Sequence, residues 1–175
     1  MSTAAEHPGL ALALCPLGLP HRLHERGPAA VLAENTALID ACCALAENRG
    51  ARRARVGAEH ALWIWPAAQP AEAIVLAADL CALAAARRAA SGGPRVGLGL
   101  ALGPLADGPE PFGLATLQAL QLAGPANRGD ELLAAGGPDS PWMAPPPGIG
   151  AAPLRADRAA SLGFAGVLLR DHRAD

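Results

Sequence analysis

The chain has no lysine and no tyrosine, so its basic residues, 14 in all, are every one arginine. Aromatic residues make up 3% and charged residues 17% of the 175 positions, against 51% hydrophobic. That balance excludes a disordered chain, which combines few apolar residues with high net charge. The length suffices for one domain with a sizeable core, here residues 1–175 with the core over about 9–170. A net charge of −2 gives no broad attraction to nucleic acid or to an anionic membrane, and neither is expected as a partner. The apolar run from Gly9 to Leu19 is too short for a bilayer span, is broken by Pro16, and lacks the basic leader of a signal peptide. Cys15, Cys42, Cys43 and Cys81 show no CxxC spacing and sit in apolar runs, which predicts reduced, buried thiols and a cytoplasmic location. The GxxxxGK phosphate loop, the GxSxG elbow and the HExxH zinc motif are all missing.

What is present reads as alternating elements. Gly9–Cys15 suits a buried strand, and His21–Gly27 reads as polar connection. Val31, Leu38, Cys42 and Leu45 recur at helical spacing within Pro28–Arg49. Ala51–Val56 and Ala61–Trp65 predict a hairpin around Gly57-Ala58-Glu59-His60, closed off by Pro66. Pro70 opens a helix with Leu76, Leu80, Leu83 and Arg87 on one stripe, and Ser91-Gly92-Gly93-Pro94 ends it. The strand Arg95–Gly103 alternates Val96, Leu98, Leu100 and Leu102 with Gly97, Gly99, Ala101 and Gly103, leaving one smooth face for close approach of a helix or ligand. A helix opened by Phe112-Gly113 runs to about Ala123. The chain then reads as loop-rich, with Gly136-Gly137-Pro138 and Pro145-Pro146-Pro147, before a last strand within Phe164–Arg170. The order predicts an α+β fold, a ferredoxin-like βαββαβ core with additions.

The glycine-laced strand from Arg95 and the Phe112-Gly113 helix together resemble the core of class III nucleotidyl cyclases, the adenylate and guanylate cyclase catalytic domains. The resemblance implies two magnesium ions on two aspartates, a base-reading lysine, and an Asn and an Arg four residues apart on the late helix. At the matched positions this chain has Cys15 followed by Pro16, Glu59 in the hairpin, Arg55, Leu117 and Gln121. A thiol is a poor ligand for a hard cation. Proline at 16 removes an N–H from the turn that cradles phosphates in the family. Leu117 cannot orient a ribose, and Gln121 brings no charge to a developing phosphate charge. Glu110, between Pro109 and Pro111, is the polar residue at the base-specifying loop. The resemblance therefore implies a cyclase scaffold without a credible metal site or catalytic set, and no cofactor is expected.

Three readings of function follow. One is a catalytically inactive domain acting through protein–protein interaction in signalling, as a homodimer or with a cyclase-like partner. The second is a nucleotide or anion sensor without turnover, using Arg55 and Gln121. The third is an atypical cyclase completed by a partner subunit. Trp63 and Trp65 share a strand face, and in so aromatic-poor a chain they are candidates for an interface centre as well as for the core. Arg53 and Arg55 are expected on one face of a charged edge strand, opposite Arg52. His21 and His24 near Cys15 read as solvated polar residues rather than a metal site. Cys42 and Cys43 point in different directions on a helix and read as core.

Overall fold

The computed structural model describes residues 6–65, 69–106 and 113–173. Seven strands, β1 (Glu6–Pro16), β2 (Arg52–Val56), β3 (Ala61–Trp65), β4 (Val96–Ala106), β5 (Glu131–Ala135), β6 (Ile149–Pro153) and β7 (Gly166–Asp171), form one sheet. Its order is β2-β3-β1-β4-β5-β7-β6. Neighbours are antiparallel except β4 and β5, which run parallel. The helices are α1 (Leu19–Arg26), α2 (Pro28–Asn48), α3 (Pro70–Ser91), α4 (Leu114–Ala123) and α5 (Ala156–Leu162).

The two central strands sort their side chains by size. In the β1–β4 register Leu10, Leu12 and Leu14 lie opposite Leu102, Leu100 and Leu98, while Gly9, Ala11, Ala13 and Cys15 lie opposite Gly103, Ala101, Gly99 and Gly97. Because alternate residues of a strand face opposite sides, one side of the sheet carries leucines and the other is almost bare. The leucine side packs with Leu38, Cys42, Ile74, Leu76 and Leu80 of α2 and α3. The bare side packs with Ala115, Ala119, Leu122 and Ala123 of α4. There α4 rests on backbone: a Cβ at Gly97 would lie 2.0 Å from the Ala123 carbonyl oxygen, and one at Gly99 2.1 Å from that of Ala119. The approach expected at this face is thus made by a helix of the chain itself. Thr116 secures the start of α4, its hydroxyl accepting from the Gly113 N–H (3.0 Å) and donating to the Gly113 carbonyl (2.7 Å). Helix α2 is long and apolar enough by composition to cross a membrane, yet in this fold Val31, Leu38, Ile39, Cys42 and Cys43 are buried against the sheet side.

Several elements differ from the sequence expectation. Where His21–Gly27 reads as a connection, helix α1 forms over Leu19–Arg26. Its buried residue is Arg22, whose guanidinium donates to Asn35 Oδ1 (2.8 Å) and Glu34 Oε2 (2.7 Å) of α2. A polar network replaces the apolar stripe that helical periodicity detects. Gly27, at φ 76°, makes the corner into α2, a conformation that disfavours residues with a Cβ. The stretch expected to be loop holds β5, β6, α5 and a short 3-10 turn at Pro141–Met143. Trp142 of that turn is fully buried and donates from Nε1 to the Ala135 carbonyl (2.8 Å). Pro66, Pro109, Glu110, Pro111 and Phe112 lie outside the described residues.

Candidate functional site

Strand β1 ends at Cys15 and Pro16, which pair with Gly97 and Val96 at the start of β4. The neighbouring hairpin closes with the Gly57 N–H donating to the His60 carbonyl (2.9 Å), which leaves Glu59 exposed at the tip. Burial, with a smaller contribution from the Glu59 charge, pushes the Cys15 thiol up to about 11, so it is a neutral thiol at physiological pH. The fold thus brings Cys15 and Glu59 within electrostatic reach of each other. Behind the tip, Asn35 donates from Nδ2 to the Ala58 carbonyl (2.9 Å) and accepts from Arg22, which ties the hairpin to α1 through one buried amide.

A pair of magnesium ions needs a cluster of hard oxygen donors. A neutral thiol and one carboxylate do not supply it, and among the described residues no three His, Cys, Asp or Glu side chains converge. The donor set does not fit two such cations. His21, instead of joining Cys15, lies 3.3 Å from Glu25 one turn along α1.

Leu117 and Gln121 lie one turn apart on α4 and both are exposed, Leu117 at 50%. Gln121 donates from Nε2 to the Leu162 carbonyl at the end of α5 (3.3 Å), so its amide already serves the fold. Leu114, a turn before Leu117, is 56% exposed. Arg55 pairs with Leu62 and Arg53 with Trp63, across a register shift in β2. That shift interrupts the simple two-residue alternation of the β2 backbone between these two pairings. Arg53 itself is ion-paired with Glu47 of α2.

Of the tryptophan pair, Trp63 belongs to the core of this fold. The β1–β3 register sets Trp63 beside Leu12, on the face covered by α2 and α3, and Trp63 is 0% exposed. Trp65, at the end of the strand, is partly buried and lines a cavity of about 530 Å³ with Arg49, Glu72 and Pro146.

A second cavity of about 530 Å³ opens beside α1, lined by Gly18, His21, Arg26, Arg88, Arg95 and Arg128 among others. Arg26 pairs with Glu34 (2.5 Å) and Arg88 with Asp130 (2.6 Å), while Arg95 is only 3.9 Å from Asp130. Arg128 forms no side-chain salt bridge among the described residues, although its charge acts on Glu131. Sequence reading missed this group because its members come from α1, the α3–β4 turn and the α4–β5 connection. Only the fold brings them together; Arg95, opening the glycine-laced strand, was its one visible sign.

No family model and no curated protein matches the chain by sequence. Solved structures match it closely in shape. It is similar to a double mutant of the guanylyl cyclase domain of the RhoGC fusion protein from the aquatic fungus Blastocladiella emersonii, in monomeric form. That match has a TM-score of 0.77 at 13% identity and covers 97% of this chain and 98% of that one. A dimeric form of the same domain matches with a TM-score of 0.72 at 14% identity, over 95% and 97% of the two chains. The adenylyl cyclase CyaB from P. aeruginosa matches with a TM-score of 0.65 at 12% identity, over 98% of each. Over nearly its whole length, the chain has the fold of a class III nucleotidyl cyclase domain.

Proposed function

We propose that this is a catalytically silent cyclase-like domain that acts through protein–protein association, as a homodimer or beside a second cyclase-like chain. The observation that carries this reading is the outer face of α4. Leu114 and Leu117, 56% and 50% exposed, stand a turn apart, and Leu117 occupies the position where the resemblance implies a hydrogen-bonding Asn. Single exposed leucines are ordinary, but an adjacent pair, one of them in place of a catalytic polar residue, favours contact over chemistry. Full burial of a leucine is worth about 1.5–3 kcal/mol, so covering both half-exposed side chains contributes appreciably to association. The neutral Cys15 thiol and the occupied Gln121 amide support the same reading, and one similar guanylyl cyclase domain occurs as a dimer.

Sedimentation equilibrium tests it. Wild type self-associates or co-sediments with a cyclase-like chain, and Leu117→Arg shifts the protein to monomer with its thermal melt unchanged. A wild type that stays monomeric at high concentration, with no such partner, defeats the proposal. A second reading, anion binding without turnover, is favoured by the arginine-lined cavity beside α1. It replaces the expected pair Arg55 and Gln121 with Arg95 and its neighbours. Magnesium-ATP would then raise the melting temperature, and Arg95→Gln would abolish the rise; saturation at 100 times Kd corresponds to about 2.7 kcal/mol.

A further inference from the structure

Eight of the chain's arginines, of 14 in all, line one or other of two adjoining cavities, although the chain as a whole is slightly acidic. The second of these cavities is separate from the β1–α1 turn. It holds about 290 Å³ between the α4–β5 connection, the β6–α5 junction and β7. Arg128, Arg155, Arg158 and Arg170 line it against one acid, Glu131. That acid is already engaged. Arg158, 11% exposed, donates to both Glu131 carboxylate oxygens (3.0 and 2.5 Å) and to the Ala126 carbonyl (2.5 Å). The Arg128 backbone N–H donates to Glu131 Oε2 as well (2.9 Å). Burial works to raise the Glu131 carboxyl, but the Arg158 guanidinium and the Arg128 N–H outweigh it and hold the group below its ordinary value, so it stays ionised.

Three guanidiniums are left around this fixed floor. Arg128 and Arg170 form no salt bridge among the described residues, the Arg128 charge acting on Glu131 only at longer range. Arg155 has only Asp157 at 3.3 Å, where both side chains are open to solvent and the pair is weak. Leu154, Pro153 and Leu168 supply apolar wall beside them, which strengthens any charge–charge attraction made in the cavity. Unneutralised guanidinium forks match the oxygens of phosphate better than they match a single carboxylate. The geometry points to a binding site here for a small phosphorylated molecule, held by Arg128, Arg155 and Arg170 on the Arg158–Glu131 floor.

Titration calorimetry and thermal melts of the full chain with inorganic pyrophosphate, at constant ionic strength, test the assignment. Of the two arginine-rich cavities, Arg170 lines this one and not the one beside α1, and Arg95 the reverse; Arg170 also borders a third, acidic cavity with Asp130 and Asp171. Pyrophosphate binds wild type and Arg95→Gln saturably and equally, while Arg170→Gln weakens binding about tenfold or more. Citrate at the same concentration binds more weakly than pyrophosphate. Both substituted arginines are exposed, so the variants fold and the comparison stays readable. Binding lost in Arg95→Gln but kept in Arg170→Gln would move the ligand to the other cavity and overturn the assignment. So would no saturable binding by wild type, or equal binding of citrate.

Discussion

Trp63 shows how much a single residue's role depends on which side of the sheet it faces. That Trp63 and Trp65 share a face was legible from strand alternation. The side was not, because β3 is apolar on both faces: Leu62 and Ile64 are as buried as Trp63. Only the pairing of Trp63 with Leu12 decides it. Trp63→Ala is therefore expected to lower stability by about 3–5 kcal/mol in a denaturant melt, with no separate change in oligomeric state. The Glu131 and Glu34 carboxyls make a second prediction at this scale. Burial raises Glu131 less than Arg158 and Arg128 lower it, and Glu34 is held down by its hydrogen bond from Arg22. Both lie below the ordinary 4.5 in the folded chain. The unfolded chain then binds more protons, so stability is fully present above that value and falls as pH drops through the folded values. Urea unfolding between pH 3 and 6 measures the slope, and Arg158→Gln should flatten it.

At the scale of elements, periodicity found what apolar surface writes into the sequence. The hairpin, α2, α3, β4 and α4 all carry such a signature. Helix α1 does not: His21, His24, Glu25 and Arg26 face solvent, and its anchor is Arg22 bonded to Asn35. Strands β5 (Glu131–Ala135) and β6 (Ile149–Pro153) are built largely of alanine, glycine and leucine with no apolar–polar alternation, and β6 ends in a proline at the sheet edge, so neither gives a strand signal. The candidate site was legible in the same uneven way. Leu117 and Gln121 lie together on an exposed face as expected, whereas the arginine cavities depend on long-range closure. The glycine–alanine contact of β4 with α4 was half legible, as a smooth face awaiting a neighbour. Gly99→Val places side-chain atoms where the Ala119 carbonyl lies, so it should lower the melting temperature markedly and weaken protection of the α4 amides in hydrogen exchange.

For the molecule as a whole, the fold is that of enzymes, and fold alone does not decide activity. The purified protein is expected to form no cyclic nucleotide from ATP or GTP with magnesium or manganese, because Cys15 and Glu59 do not furnish a two-cation donor set and Leu117 and Gln121 bring no charge to the phosphate. A sensitive product assay checks this. Turnover that scales with protein and disappears in Glu59→Ala would instead support an enzyme completed by a partner subunit.

The backbone-to-backbone seat of α4 on Gly97 and Gly99 has one more consequence. Position and display are decoupled in this helix. Its inner face meets the strand glycines, and Leu114 and Leu117, which it shows to solvent, take no part in that contact. Polar and apolar side chains can therefore be exchanged at exposed positions such as that of Leu117 without disturbing that seat. A helix held this way can change what it presents to its surroundings while keeping its place on the sheet.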